Sequence, residues 1–458
     1  MSGRRANTAR EVALNVLIRI ECEGAYSNLE LNRALKESGL NRADAGLVTE
    51  LVYGTIQRKA TLDYWLDGFV AKGTAKLQTW VLLLLRMSLY QMVYLDRVPA
   101  HAAVHEAVQI AKQRGHQGIS GMVNGVLRNI DRSRDRLTLP EEKDDVKRIA
   151  LKHSYPEWMV RRWLEAYGVE EAEAICAAGN EPPRPSIRVN RMRSGRDAVV
   201  DRLRQAGYAA MPSPLSPAGI VVQGGGNLAD HEAFRAGDWT VQDESSMLVA
   251  EVAAPKPGMQ VLDCCAAPGG KSTHLAEIME DEGTVWSNDI HPHKEELIKD
   301  QVERLGLRAV RTTVMDAEDL PQRHAPGSMD LVLLDAPCSG LGVIRRKPEI
   351  KWTKDPADVA AIAAVQNKLL DAAAVLVRPG GLLVYSTCTI EREENEQQIE
   401  RFLDRNRQFE LDRDWPEAIL DVLTTAGVLA GEPAGMVQLL PHHFGSDGFF
   451  IARMRRRG

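Results

Sequence analysis

Two cysteines, Cys338 and Cys388, are the residues whose type and placement best suit covalent chemistry. Each follows an apolar, strand-like run, Leu331-Val332-Leu333-Leu334 before the first and Leu382-Leu383-Val384-Tyr385 before the second. Parallel strands deliver the residues beyond their C-terminal ends to one rim of a sheet, so both thiols are expected at one edge. Upstream, Val261-Leu262-Asp263 leads into Cys265-Ala266-Ala267-Pro268-Gly269-Gly270-Lys271, which has the form of a strand entering a glycine turn and then a helix. The glycine pair lets a ligand approach the backbone, and the helix start aims free N–H groups at it, so this turn is a candidate cradle for a nucleotide-like cofactor. A cofactor turn and two thiols on one rim point to group transfer through a cysteine adduct.

The turn alone is a weak signal. It is not G-x-G-x-x-G, and Gly269-Gly270-Lys271-Ser272 lacks the earlier glycine of a phosphate-binding loop, which counts against a nucleotide hydrolase. Three acids strengthen it. Asp289 ends the next predicted strand, where an acid would meet ribose hydroxyls, and Asp316 and Asp335 end the two after that. Each also fits a helix cap, Asp316 included. Cys22, Cys176 and Cys264 read as small buried hydrophobes, whereas Cys338 and Cys388 stand among polar or turn-forming residues beyond their strands' apolar cores. The six cysteines show no C-x-x-C spacing, so neither a disulfide framework nor a metal site is expected.

These residues need a scaffold, and 458 residues at 44% hydrophobic should divide into two or three domains. Residues 1–140 read as a helical bundle: Ala13, Val16, Leu17 and Ile20 share one helical face, and Thr8 with Glu11 has capping-box spacing. Pro140 and the charged run Glu141 to Lys147 mark a boundary. Residues 150–235 read as a small α+β module, with strands at Ser186 to Asn190 and Ile220 to Val222 and a helix from Asp197. Residues 236–458 alternate strands with helices, the pattern of an α/β Rossmann-like domain with a mostly parallel sheet. Its strands are placed at Gln260–Asp263, Thr284–Asn288, Ala309–Thr313, Leu331–Leu334, Leu382–Ser386 and Gly448–Arg453.

The net charge of −6 argues against nucleic-acid binding by bulk charge, yet residues 1–140 carry 19 Lys/Arg against 13 Asp/Glu. Arg184, Arg188, Arg191, Arg193 and Arg196 lie in a stretch without an acid, and the chain ends Arg455-Arg456-Arg457-Gly458, so both are candidate phosphate contacts. The start Met1-Ser2-Gly3-Arg4-Arg5 has no apolar stretch behind it, and the apolar run Trp80 to Leu85 is broken by Arg86. No membrane segment is expected, and a cytoplasmic protein is.

The motifs Cys265-Ala266-Ala267-Pro268-Gly269-Gly270-Lys271, Asp335-Ala336-Pro337-Cys338-Ser339-Gly340 and Ser386-Thr387-Cys388-Thr389 resemble, in that order and spacing, the RNA cytosine-5 methyltransferases that use S-adenosylmethionine. Gly342-Val343-Ile344-Arg345-Arg346-Lys347-Pro348-Glu349-Ile350-Lys351-Trp352 resembles the bacterial RsmB (Sun/Fmu) branch, which acts on small-subunit, 16S ribosomal RNA. Lys347 departs from that pattern, where a neutral residue or histidine is usual. Residues 1–140 are similar to the RNA-binding domain of the antitermination factor NusB, and Ser154-Tyr155-Pro156-Glu157-Trp158 fits the connecting module. The resemblance implies Cys388 as nucleophile at carbon 6 of cytosine, Cys338 as the thiol assisting its release, and Asp335 as the acid bonded to the ring. It implies cofactor contacts at Cys265 to Lys271, Asp289, Asp316 and Asp335. Transfer RNA or large-subunit RNA as substrate, and a non-catalytic RNA assembly factor, stay open as alternatives.

Overall fold

A computed structural model describes residues 8–224, 228–429 and 434–458, so the basic start at Arg4 and Arg5 lies outside the described residues. The chain forms two compact units, one of residues 1–181 with 344–354, the other of 182–343 with 355–458.

The first unit is helical. Helix Ala9–Glu23 begins at the expected capping box, with Thr8 Oγ1 accepting from the Glu11 amide at 3.3 Å and Glu11 accepting from the Thr8 amide at 2.8 Å. Val12, Ala13, Val16, Leu17 and Ile20 form its buried face. Cys22 is exposed, against the expectation of a buried hydrophobe. It follows Ile20 by two positions, which is about 200° round the helix and therefore on the opposite face. Helix Thr79–Tyr94 is the buried centre of the bundle, and Arg86 inside it forks onto Asp63 at 2.6 and 2.7 Å. Helices Asp145–His153, Glu157–Tyr167 and Val169–Ala178 also belong to this unit.

Residues 344–354 belong to it as well, although they follow directly on the Cys338 loop in sequence. Glu349 accepts from the amide of Ser27 at 3.1 Å and its hydroxyl at 2.6 Å. That carboxylate stands at the start of helix Ser27–Ser38, whose cap residue Tyr26 offers no side-chain acceptor, so it supplies the missing partner and complements the helix dipole. Lys351 is fully buried and donates to Gln57 O, Ser154 O and Asn180 Oδ1 at 3.1, 3.1 and 2.7 Å. Trp352 donates to Ile56 O at 2.9 Å.

The second unit holds two sheets. In the smaller, β1 (Ser186–Val189), β2 (Ala209–Pro212), β3 (Gly219–Gln223) and β4 (Trp239–Val241) pair antiparallel in the order β2-β3-β1-β4. Strand β4 therefore extends this sheet past residue 235. The larger sheet comprises β5 (Gln260–Asp263), β6 (Thr284–Asp289), β7 (Val310–Val314), β8 (Met329–Asp335), β9 (Val377–Thr387), β10 (Phe409–Leu411), β11 (Met436–Leu439) and β12 (Phe449–Arg456). Its order is β10-β12-β9-β8-β5-β6-β7, with β11 also on β12. Strands β9-β8-β5-β6-β7 run parallel and β12 antiparallel to its neighbours, so the α/β reading holds and all six expected strands form. The two further strands, β10 and β11, are three and four residues long, too short for an alternating pattern to show.

Helix Pro356–Leu376, and not the run at Trp80, has the length and hydropathy to cross a membrane. Here Val359, Leu370, Ala373 and Leu376 are buried, and Leu370, Ala373 and Leu376 join the sheet core with Leu334 and Leu383. The expected arginine patch is open only in part: Arg193 is exposed, whereas Arg184, Arg188 and Arg191 turn to acids. Arg188 is completely buried and doubly bonded to Glu277, Arg191 pairs with Glu251 at 2.8 Å, and Arg184 reaches Glu244 at 3.4 Å. At the C-terminus Arg455, in β12, pairs with Asp412, and Arg457, exposed just past that strand, pairs with Glu410.

Candidate active site

The parallel register brings the sequence motifs to one rim. Asp263 closes β5, Asp289 β6 and Asp335 β8, and Asp335 lies level with Ser386 on β9, two residues before Cys388. The thiols of Cys338 and Cys388 stand 3.3 Å apart. Beyond Cys338 the loop packs against the Cys388 segment: Gly342 donates to the Cys388 carbonyl at 3.0 Å, and a Cβ on Gly342 would stand 2.1 Å from the Gly448 oxygen. Only glycine fits there.

Asp335 is held from both sides. Its Oδ1 accepts from the Ser386 hydroxyl and its Oδ2 from Lys271 Nζ, each at 2.7 Å. Lys271 thus crosses from the glycine turn to the thiol group, a contact that its place in the turn motif does not reveal. Burial pulls the Lys271 ammonium down, but the Asp335 carboxylate and then the charge at Cys388 carry it above its ordinary value. Hydrogen bonding to Cys388, burial, and the negative charges of Cys388, Glu394 and Asp335 all raise Cys338, which keeps it a thiol.

The turn itself is shaped for close approach. Gly269, at φ +101°, precedes helix Gly270–Ile278, and a Cβ on Gly269 would press within 3.2 Å of the Ile298 backbone. Asn288 pins the turn by donating to Cys264 O at 3.0 Å and Met315 O at 2.9 Å. Arg188, from the small sheet, donates to the Gly270 carbonyl at 2.6 Å and to Thr273 at 3.0 Å. Cys265 lies among acids: burial raises its thiol, and so do Asp263, Asp335, Asp289 and Asp316. Asp289 is nearly buried and accepts from the His291 amide at 3.0 Å. Asp316 is exposed and caps the turn Ala317–Asp319 through one oxygen, at 3.0 Å from the Glu318 amide. Ala266, Ala267 and Pro268 complete the turn between these groups.

Asn288 and Glu394 are site residues that the sequence reading passed over, and Asp263 and Ser386 were read there only as parts of their motifs, with no role of their own. Asp263 is fully buried and accepts from Ser272 at 2.6 Å. Burial pushes its carboxyl up from 3.8 to about 7, with Ser272 acting against the shift. The folded chain therefore holds a proton there that the unfolded chain releases above 3.8, so stability is fully present below that pH and is lost as pH rises through about 7. By pH 8 the loss is on the order of 4 kcal/mol. Asp263→Asn should flatten the decline in unfolding free energy over that window in urea titrations. An unchanged pH slope would remove the buried charge as its cause.

Models of known families match three stretches: the 16S rRNA methyltransferase RsmB/F family over residues 250–455, the RsmF/B-like ferredoxin-like domain over 155–229, and the NusB family over 7–132. The chain is 45% identical over 454 residues to a probable ribosomal RNA small subunit methyltransferase B of Bacillus subtilis, covering 99% of this chain and all of that one. A protein of the same description from Synechocystis is 35% identical over 98% of this chain and 99% of its own. The crystal structure of PH0851 superposes with a TM-score of 0.81 at 27% identity, covering 98% of this chain and 99% of that one. With a helical NusB-type unit, a ferredoxin-like sheet and paired thiols at the rim of a mostly parallel sheet, the chain belongs to the 16S rRNA methyltransferase RsmB/F family.

Proposed function

We propose that this protein transfers a methyl group from S-adenosylmethionine to carbon 5 of a cytidine in 16S ribosomal RNA, through a covalent adduct at Cys388. The observation that carries the reading is the 3.3 Å approach of two thiols beside an acid that is already oriented by Ser386 and Lys271. Carbon 5 of cytosine is a poor nucleophile. Addition of the Cys388 thiolate at carbon 6 makes carbon 5 carbanion-like, and the Lys271 ammonium nearby favours the thiolate form. N3 of the ring offers a lone pair, so Asp335 would meet it carrying a proton, donating to N3 and stabilising the negative charge that develops there. Loss of the carbon 5 proton then lets the carbon 6–sulfur bond break and return the thiolate, a step assisted by Cys338.

The donor set around the glycine turn fits the cofactor. S-adenosylmethionine is cationic and carries ribose hydroxyls, and Asp263, Asp289, Asp316 and Asp335 gather around Cys265. Asp289 would hold the ribose, Asp316 would lie near the adenine, and Cys265 to Lys271 would wall the site. Bound there, the cofactor supplies an electrophilic methyl group.

The small-subunit descriptions of the relatives and the NusB-family match support ribosomal RNA as the substrate over transfer or large-subunit RNA. Mapping 5-methylcytosine in 16S and 23S ribosomal RNA and in transfer RNA, from cells with and without this protein, tests it. One 16S cytidine should lose its methyl group, and restoring the gene should return it. A loss confined to transfer or 23S RNA would overturn the substrate, and no loss anywhere would overturn the reaction.

A further inference from the structure

The two thiols sit on separate loops, one after β8 and one after β9, and neither loop is regular. Something must hold their 3.3 Å separation. The hydrogen bonds on either side of each cysteine converge on two adjacent residues, Glu394 and Asn395. Around Cys338, Ser339 donates its amide to Glu394 at 2.9 Å and its hydroxyl to the other carboxylate oxygen at 2.5 Å. Gln366, from helix Pro356–Leu376, donates to Pro337 O at 3.0 Å and to Glu394 at 2.9 Å. Around Cys388, the Thr387 hydroxyl donates to Asn395 Oδ1 at 2.6 Å, and Asn395 Nδ2 donates to Thr389 O at 3.0 Å. The two sides join where the Ser339 and Thr389 hydroxyls meet at 2.8 Å.

We propose that Glu394 and Asn395 are positioning residues, a two-residue clamp that sets the distance between Cys338 and Cys388. Both are completely buried, and neither is one of the reacting groups proposed above. The Ser339 amide and Gln366 both donate to one Glu394 oxygen while the Ser339 hydroxyl meets the other, so a single carboxyl ties three groups together. Burial raises that carboxyl, Ser339 and Gln366 draw it back, and Glu391 raises it again. Its charge also bears on Cys338, together with those of Cys388 and Asp335. The clamp therefore acts on both the place and the proton of Cys338, and on the place of Cys388.

What the thiols do rests on the function proposed above, whereas where they are held does not, and two readouts on the full chain separate these. Diamide, which takes up the two thiol hydrogens as a disulfide forms, measures proximity without RNA, with the Cys338–Cys388 link identified by peptide mass. Wild type should link rapidly. Glu394→Gln can keep one oxygen for the Ser339 and Gln366 N–H groups but sets an amide donor against the Ser339 hydroxyl, Asn395→Asp places an acceptor against Thr389 O, and each should slow linkage by about tenfold or more, towards the roughly hundredfold of an ångström misplacement. With RNA, Glu394→Gln should keep adduct formation on 5-fluorocytidine but delay product release from cytidine, while Asn395→Asp should slow adduct formation itself. A merely architectural role would slow both steps alike in both variants. Linkage at the wild-type rate in both variants overturns the clamp. Absence of a wild-type adduct overturns the adduct chemistry and leaves the linkage result to decide the clamp. Should a variant not fold, Ser339→Ala and Thr387→Val each remove one hydroxyl and no charge, and the same linkage assay decides.

Discussion

Cys388→Ala should abolish methyl transfer and form no covalent complex with RNA containing 5-fluorocytidine, whereas Cys338→Ala should trap a protein–RNA adduct even on ordinary cytidine. The asymmetry follows from geometry and charge. Two thiols 3.3 Å apart cannot both attack one carbon 6, and Cys338 is held in its thiol form by Cys388, burial and the acids around it. The Cys388 thiolate instead lies within the field of the Lys271 ammonium. Loss of a nucleophile that acts as a unit with its neighbours costs a factor on the order of 10⁴ to 10⁶ in turnover. Loss of Cys338 should spare attack and methylation and slow elimination, so the adduct accumulates while free product falls. Fluorine at carbon 5 blocks the proton loss that elimination requires, so wild type should be trapped there too. Denaturing gels read every arm. An adduct that survives Cys388→Ala and vanishes in Cys338→Ala would reverse the assignment.

Much of this site was legible because parallel strands impose a rule: residues just past their C-terminal ends share a rim. Apolar runs of four residues located β8 and β9, the Val261-Leu262 pair before the glycine turn located β5, and the rim then followed for Cys338, Cys388, Asp335 and the turn. What escaped was what depends on long-range pairing. Lys271 belongs to the turn in sequence but bonds across to Asp335, 64 positions away. Arg188 sits in a stretch free of acids, yet its partner Glu277 lies 89 positions on, so local charge counting misread a buried pair as a phosphate contact. Residues 344–354 look like part of the methyltransferase core, and only the acceptors that receive Lys351 and Trp352 place them in the helical unit. That placement bears on how RNA affinity should be assigned. Removing residues 1–140 would strip Glu349 and Trp352 of Ser27 and Ile56, so charge substitutions on the helical unit are the cleaner probe.

Asp335→Ala should lower the single-turnover rate by roughly 10² to 10³, the usual cost of a donor or acceptor aimed at developing charge. It should also destabilise the fold, and the second effect must be separated from the first. Lys271 is a nearly buried cation whose ammonium bonds Asp335 at 2.7 Å and lies 5.2 Å from the Phe449 ring. Removing its partner strands a charge, a loss of about 3 kcal/mol in comparable buried pairs. Replacing both, as Asp335→Asn with Lys271→Met, removes the stranded charge while the Asn keeps an acceptor for the Ser386 hydroxyl. The double variant should therefore regain most of the unfolding free energy in urea and none of the lost rate. Stability without activity would show that turnover needs the Asp335–Lys271 pair itself and not merely the fold that the pair helps to hold. Recovery of the rate together with stability would assign Asp335 to the lysine alone, and the ring contact would have to come from another group on the rim.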